Sequence, residues 1–214
     1  MPIGVSTGHP AITAGTFGAR VTDGTNVYAL SNNHVYADEN NATIGDAVIQ
    51  PGSLDGGVSP ADDIGTLSAY VPIAFDGSDN VVDAAIALSS IAQLGNSTQS
   101  DGYGTPGSAT VTASSGMKVQ KYGRTTGLTN GRIWATNAIV NVGYDSGVAR
   151  FVNQIVIRGG GFSAGGDSGS LVVVKGGQDD LKPVGLLFAG SGNATILNPI
   201  DAVLNGFGVT VDGN

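Results

Sequence analysis

The run Gly165-Gly166-Asp167-Ser168-Gly169-Ser170 sets a serine among glycines and beside an aspartate. A serine hydroxyl is a weak nucleophile at its ordinary pKa and needs an adjacent base, most often histidine. This chain has only two histidines, His9 and His34, and both precede Ser168. His34 stands in Leu30-Ser31-Asn32-Asn33-His34-Val35, and Asp83 in the apolar run Val81-Val82-Asp83-Ala84-Ala85-Ile86. The order His, Asp, Ser is one of three unrelated chain orders that build the same proton-transfer geometry. In that geometry Ser168 is the nucleophile, His34 the general base and later general acid, and Asp83 the group that orients the imidazole. An acid flanked by Val82 and Ala84 is expected to be partly buried and to need partners. His9, next to Pro10, is expected to be a surface or structural residue, and Asp76 and Asp79 read as solvated loop.

Other hydrolase orders fit poorly. No histidine follows Ser168, which excludes the Ser, acid, His order of the α/β-hydrolases, and Ser170 breaks their Gly-x-Ser-x-Gly pattern. A subtilisin-type order would need an acid before His34, such as Asp23, and long βα units that are absent.

Taken together, the three segments resemble those of the trypsin-like (chymotrypsin-fold) serine peptidases. A fourth, Tyr122-Gly123-Arg124-Thr125-Thr126-Gly127-Leu128, is similar to the bacterial branch that includes alpha-lytic protease and the streptogrisins. The Leu-Ser-Asn-Asn-His-Val wording resembles bacterial trypsin-like domains. The resemblance implies an all-β fold of two packed antiparallel barrels with the site in the crease between them. It assigns the oxyanion hole to the backbone N–H groups of Gly166 and Ser168. It puts Arg124 opposite Asp167, in place of a processed amino terminus, so that the site forms without N-terminal cleavage. Phe162 and Ser163, with Leu187 or Phe188, fall where the family builds its S1 pocket, which implies a small or apolar P1 residue. Many relatives carry a serine beneath the catalytic aspartate; here Phe188 or Ala189 occupies that stretch, so Asp83 must find other donors. The implied partner is a peptide or protein substrate, with no cofactor. A fold of this kind that has lost turnover and serves as a binding or regulatory module is the alternative, because fold does not imply function.

The elements that must position these residues read as short strands. Residues 11–20, 27–31, 47–50, 64–70, 81–88, 117–122, 132–140, 148–158, 171–175, 184–188 and 194–197 are strand-like, with turn signals such as Asp23-Gly24 between them. Helical character is confined to a turn at 36–40 and a short C-terminal segment, 201–205. The polar stretch 96–110 is the expected linker. It divides a first barrel (1–95, with His34 and Asp83) from a second (111–214, with Ser168).

Composition agrees with this reading. There are 35 glycines and 8 prolines, and only 12% of residues are charged, which suits strands and tight turns. A net charge of −8 argues against nucleic acid, since phosphate binding needs clustered Lys and Arg. No run approaches the roughly 18 apolar residues of a membrane-crossing helix. The start Met1-Pro2-Ile3-Gly4 lacks the features of a secretory leader, and the compartment stays open. Cysteine is absent, so neither disulfides nor thiolate metal sites are expected. The aspartate groups at 55, 62 and 63 and at 76 and 79 match no EF-hand pattern, and no metal site is expected.

Overall fold

The apolar runs form strands because their β-branched and small side chains find burial on both faces. The structure is a computed structural model describing residues 1–214. It begins with β1 (Ser6–Thr7), β2 (Gly15–Thr16), β3 (Ala19–Thr22), β4 (Val27–Ser31) and a one-turn helix α1 (Asn33–Tyr36). The chain continues through β5 (Ala47–Ile49), β6 (Asp63–Tyr70), β7 (Asp79–Asn80) and β8 (Ala85–Ser89). Then come β9 (Lys118–Gly123), β10 (Gly127–Tyr144), β11 (Gly147–Arg158), β12 (Leu171–Val174), β13 (Pro183–Ser191) and β14 (Ala194–Pro199). Helix α2 (Ile200–Phe207) and β15 (Thr210–Val211) end it.

One antiparallel sheet has the order β15-β3-β4-β8-β6-β5. The other, β10-β9-β12-β13-β14-β11, closes on itself because β10 also pairs with β11, and β7 joins β11 in parallel. The fold is thus all-β, two barrels packed together with one short C-terminal helix.

Strand alternation explains how they pack. On β4 and β8, Ala29, Ala85 and Ala87 point into the first barrel beside Phe17, Val48 and Leu67, while Leu30 and Ile86 point out of it. On β12, Val172 and Val174 fill the second barrel, and Leu171 and Val173 face away. The outward sets meet in one shared core of Leu30, Ile86, Leu171, Val173 and Leu186, covered by Val203 and Leu204 of α2. This double burial is why these strands read as continuous apolar runs instead of alternating ones. Truncating Leu186, fully buried there, to alanine would cost about 2–5 kcal/mol.

Three sequence expectations are corrected. Residues 11–14 are not strand, and neither are Val81–Ala84, where the polar side chains described below hold the backbone at Asp83. The strand expected at 132–140 is the middle of β10, an 18-residue strand that makes a long hairpin with β11. The C-terminal pair Thr210–Val211 returns to β3 of the first sheet.

Candidate active site

His34 sits in the single turn of α1, directly after the C-terminal end of β4, which lies between β3 and β8 in its sheet. Its Nδ1–H donates to Asp83 Oδ2 at 2.6 Å and its backbone N–H to Asp83 Oδ1 at 3.2 Å. Asp83 is fully buried, and three neighbouring amides, all buried, hold it. Its N–H donates to Asn198 Oδ1 at 3.0 Å and its carbonyl accepts from Asn32 Nδ2 at 2.8 Å. Asn198 in turn donates to Gln154 Oε1 at 2.8 Å. Tyr144, at the tip of β10, donates its hydroxyl to Asp83 Oδ2 at 2.8 Å. The donor that the aspartate lacks on the β13 stretch is therefore supplied by a tyrosine from a hairpin. An Nδ1–H held by the carboxylate leaves Nε2 of His34 to accept a proton. Burial pushes the imidazole pKa down, but the charge and hydrogen bond of Asp83, aided by Glu39, outweigh it and hold it above 6.5.

Ser168 lies across the same cleft, of about 670 Å³, which His34, Tyr144 and Phe188 also border. Its hydroxyl makes no hydrogen bond to His34. The loop before β12 turns sharply at Gly166 and Gly169, both at φ +94°. A Cβ at Gly169 would lie 2.2 Å from Ser31 Oγ and 2.3 Å from the Thr16 carbonyl, so only glycine fits. Thr16 fastens this loop to the first barrel. Its N–H donates to the Ser168 carbonyl at 2.7 Å and its hydroxyl to the Gly166 carbonyl at 2.8 Å. The N–H groups of Gly166 and Ser168 have no hydrogen-bond partner in the protein.

Asp167 and Arg124 do not pair as the resemblance implied. Asp167 is fully buried against Lys121 Nζ at 3.3 Å, and Lys121 is equally buried. Asp167 also accepts from the Thr126 hydroxyl at 2.6 Å and from the N–H groups of Thr125 and Ala164. Burial pushes its pKa up, but the Thr126 hydrogen bond, the Lys121 charge and those N–H groups prevail and hold it below 3.8. Burial depresses the Lys121 pKa despite Asp167. Arg124 instead forms a two-pronged pair with Asp55, both contacts at 2.6 Å, linking the two barrels. The hydrogen bonds from Arg124 and Ser6 lower the Asp55 pKa to about 2. Lysine reaches Asp167 because β9 lies beside the nucleophile loop, while the longer arginine extends past it to the surface. Strand β9 carries two lysines, Lys118 exposed and Lys121 buried, and only the tertiary structure selects the second.

Beside Ser168 lies a depression of about 430 Å³ bordered by Ser163, Leu187, Ala189, Gly190 and Ser191, with no charged residue. Ser163 Oγ and Thr195 Oγ1 meet 2.6 Å apart. Two expected lining residues are elsewhere. Phe162 turns into the second-barrel core, against Gly131 and Ile157. Phe188, re-aimed by a bulge in β13, packs on Phe151 and borders the His34 cleft instead. His9 is not part of this pair: its ring lies 3.3 Å from Asp46, and its N–H donates to the Val35 carbonyl at 2.9 Å.

Comparisons place this geometry among known folds. A Nocardiopsis protease shares 20% identity at a TM-score of 0.69, over 98% of this chain and 97% of that one. Thermobifida fusca protease A shares 18% at 0.68, over 100% and 98%. A serine protease specific for glutamic acid, which uses a histidine triad in substrate binding, shares 21% at 0.68, over 99% and 100%. The chain thus has the double-barrel fold of bacterial chymotrypsin-fold proteases. No curated protein matches it. One family model, the Nal1 C-terminal domain, matches residues 65–199, more than half of the chain.

Proposed function

This chain belongs to the Nal1 C-terminal domain family, and for it we propose the activity of a serine endopeptidase working through His34, Asp83 and Ser168. The observation that carries this reading is the 2.6 Å bond from His34 Nδ1 to a fully buried Asp83, on the cleft that Ser168 also borders.

In the proposed reaction Ser168 Oγ attacks the scissile carbonyl carbon as its proton passes to His34 Nε2. Asp83 stabilises the imidazolium through Nδ1–H and keeps the ring in the productive tautomer. The free N–H groups of Gly166 and Ser168 receive the oxyanion, each contributing about 2.7–4 kcal/mol to the transition state. His34 then protonates the leaving amine as the C–N bond breaks. Water enters, gives its proton to His34 and hydrolyses the acyl-enzyme, returning Ser168. The uncharged depression lined by Ser163, Leu187 and Gly190 supports a small or apolar P1 side chain and no preference for Lys or Arg.

Intact-mass detection of labelling by a fluorophosphonate probe tests the reading. A single adduct on the wild type, lost in Ser168→Ala and in His34→Ala, is expected. An unlabelled wild type would favour the binding-module alternative.

A further inference from the structure

The β10–β11 hairpin is far longer than the strands around it and reaches the first barrel with its tip. There the Tyr144 hydroxyl meets Asp83 Oδ2, and the N–H groups of Asp145 and Ser146 both donate to the Glu39 carboxylate. Glu39 occupies an unusual segment. Asp38, Glu39 and Asn40 have φ of 48°, 54° and 76°, three successive left-handed residues that are not glycine. Side chains disfavour this region, because it brings Cβ close to the following carbonyl oxygen. The segment is held by Asn40, whose side chain bonds Asn33 and both the N–H and carbonyl of Ile73. Strain kept by such contacts beside a reactive group marks a constrained site. The ring of Tyr144 is wedged edge-on against Phe75 at 5.7 Å and against His34 at 5.9 Å, so its hydroxyl has little freedom to leave Asp83.

We propose that Tyr144 is a positioning residue that completes the His34–Asp83 pair, delivered by a hairpin tip that Glu39 clamps to the first barrel. This rests on the proposed peptidase reading, because Tyr144 acts through Asp83. Two donors on Oδ2, Tyr144 and His34 Nδ1–H, fix the carboxylate plane so that the imidazole cannot rotate away from the cleft. The phenol dipole also draws charge from Asp83, tempering its pull on the imidazolium. The ionisable groups facing His34 are Asp83, Glu39, Tyr144 and, across the cleft, Asp145.

Tyr144→Phe removes only the hydroxyl and keeps the packing on Phe75 and Phe151. Its test is the fluorophosphonate labelling rate together with the His34 titration followed by NMR, which a chain with two histidines makes assignable through His9→Gln. The variant is expected to label about tenfold more slowly, the equivalent of one hydrogen bond to a charged group. Its His34 midpoint is expected to move to higher pH. An unchanged midpoint overturns the proposal whatever the rate does, because a rate loss alone reports a packing defect. If the wild type does not label but the midpoint still moves, Tyr144 keeps its role and the peptidase reading fails. If the wild type labels and neither quantity changes in the variant, the reverse holds.

Discussion

Two aspartates, Asp83 and Asp167, border the crease, and both have fully buried side chains. Their surroundings differ in kind. Asp83 faces a histidine that can change its charge, and groups from both barrels orient it: from the second, Tyr144 donates to its carboxylate and Asn198 Oδ1 accepts from its N–H, and from the first, His34 donates to the carboxylate. Asp167 faces a lysine ammonium and a threonine hydroxyl that both hold its carboxylate form. The first environment is suited to moving a proton, the second to holding a loop still so that Gly166 and Ser168 present their N–H groups. A buried charge by itself says little about function; the titration of its partner separates the two cases.

The contrast breaks most visibly at Asp83. Asp83→Asn is expected to slow fluorophosphonate labelling by about 10⁴-fold, the scale set by the wrong imidazole tautomer. Thermal melts should move less than for changes at the other aspartate. A labelling rate within tenfold of the wild type would remove Asp83 from the chemistry. Lys121→Met should show the opposite signature, a loss of about 3–5 kcal/mol in urea unfolding, because it leaves Asp167 charged, buried and unpaired. A stable variant would mean that the threonine and N–H donors suffice.

The smallest effects are those of pH, and they sharpen the comparison. The His34 pKa is raised, so its pairing with Asp83 contributes stability present below pH 6.5 and lost as pH rises through the folded value. The neutral imidazole needed as base appears over that same rise, so the labelling rate should climb with a midpoint above 6.5. Glu39→Gln removes one of the charges holding that pKa up and should lower the midpoint. An unmoved midpoint would mean that the Glu39 charge does not reach the ring. Asp167, with its lowered pKa, contributes stability present above 3.8 and lost as pH falls. His34 and Asp167 therefore govern opposite ends of the pH range.

Much of this was legible in the chain alone. A scarcity of histidine narrowed the candidate base to His34, the glycines around Ser168 marked a sharp turn, and an acid inside an apolar run signalled burial at Asp83. Short strand-like runs such as Leu171–Val174, with turn signals between them, announced an all-β molecule. Those signals are local: each depends on residue type and near neighbours, which the sequence lists directly. What only tertiary structure decided were the partners. Lys121 and not Arg124 stands against Asp167, Phe162 fills a core where it was expected to line a pocket, and Tyr144 comes from 61 residues away to bind Asp83. Hydrogen bonds of a few ångströms are set by strand register, bulges and the reach of a hairpin, and none of these is carried by composition or spacing.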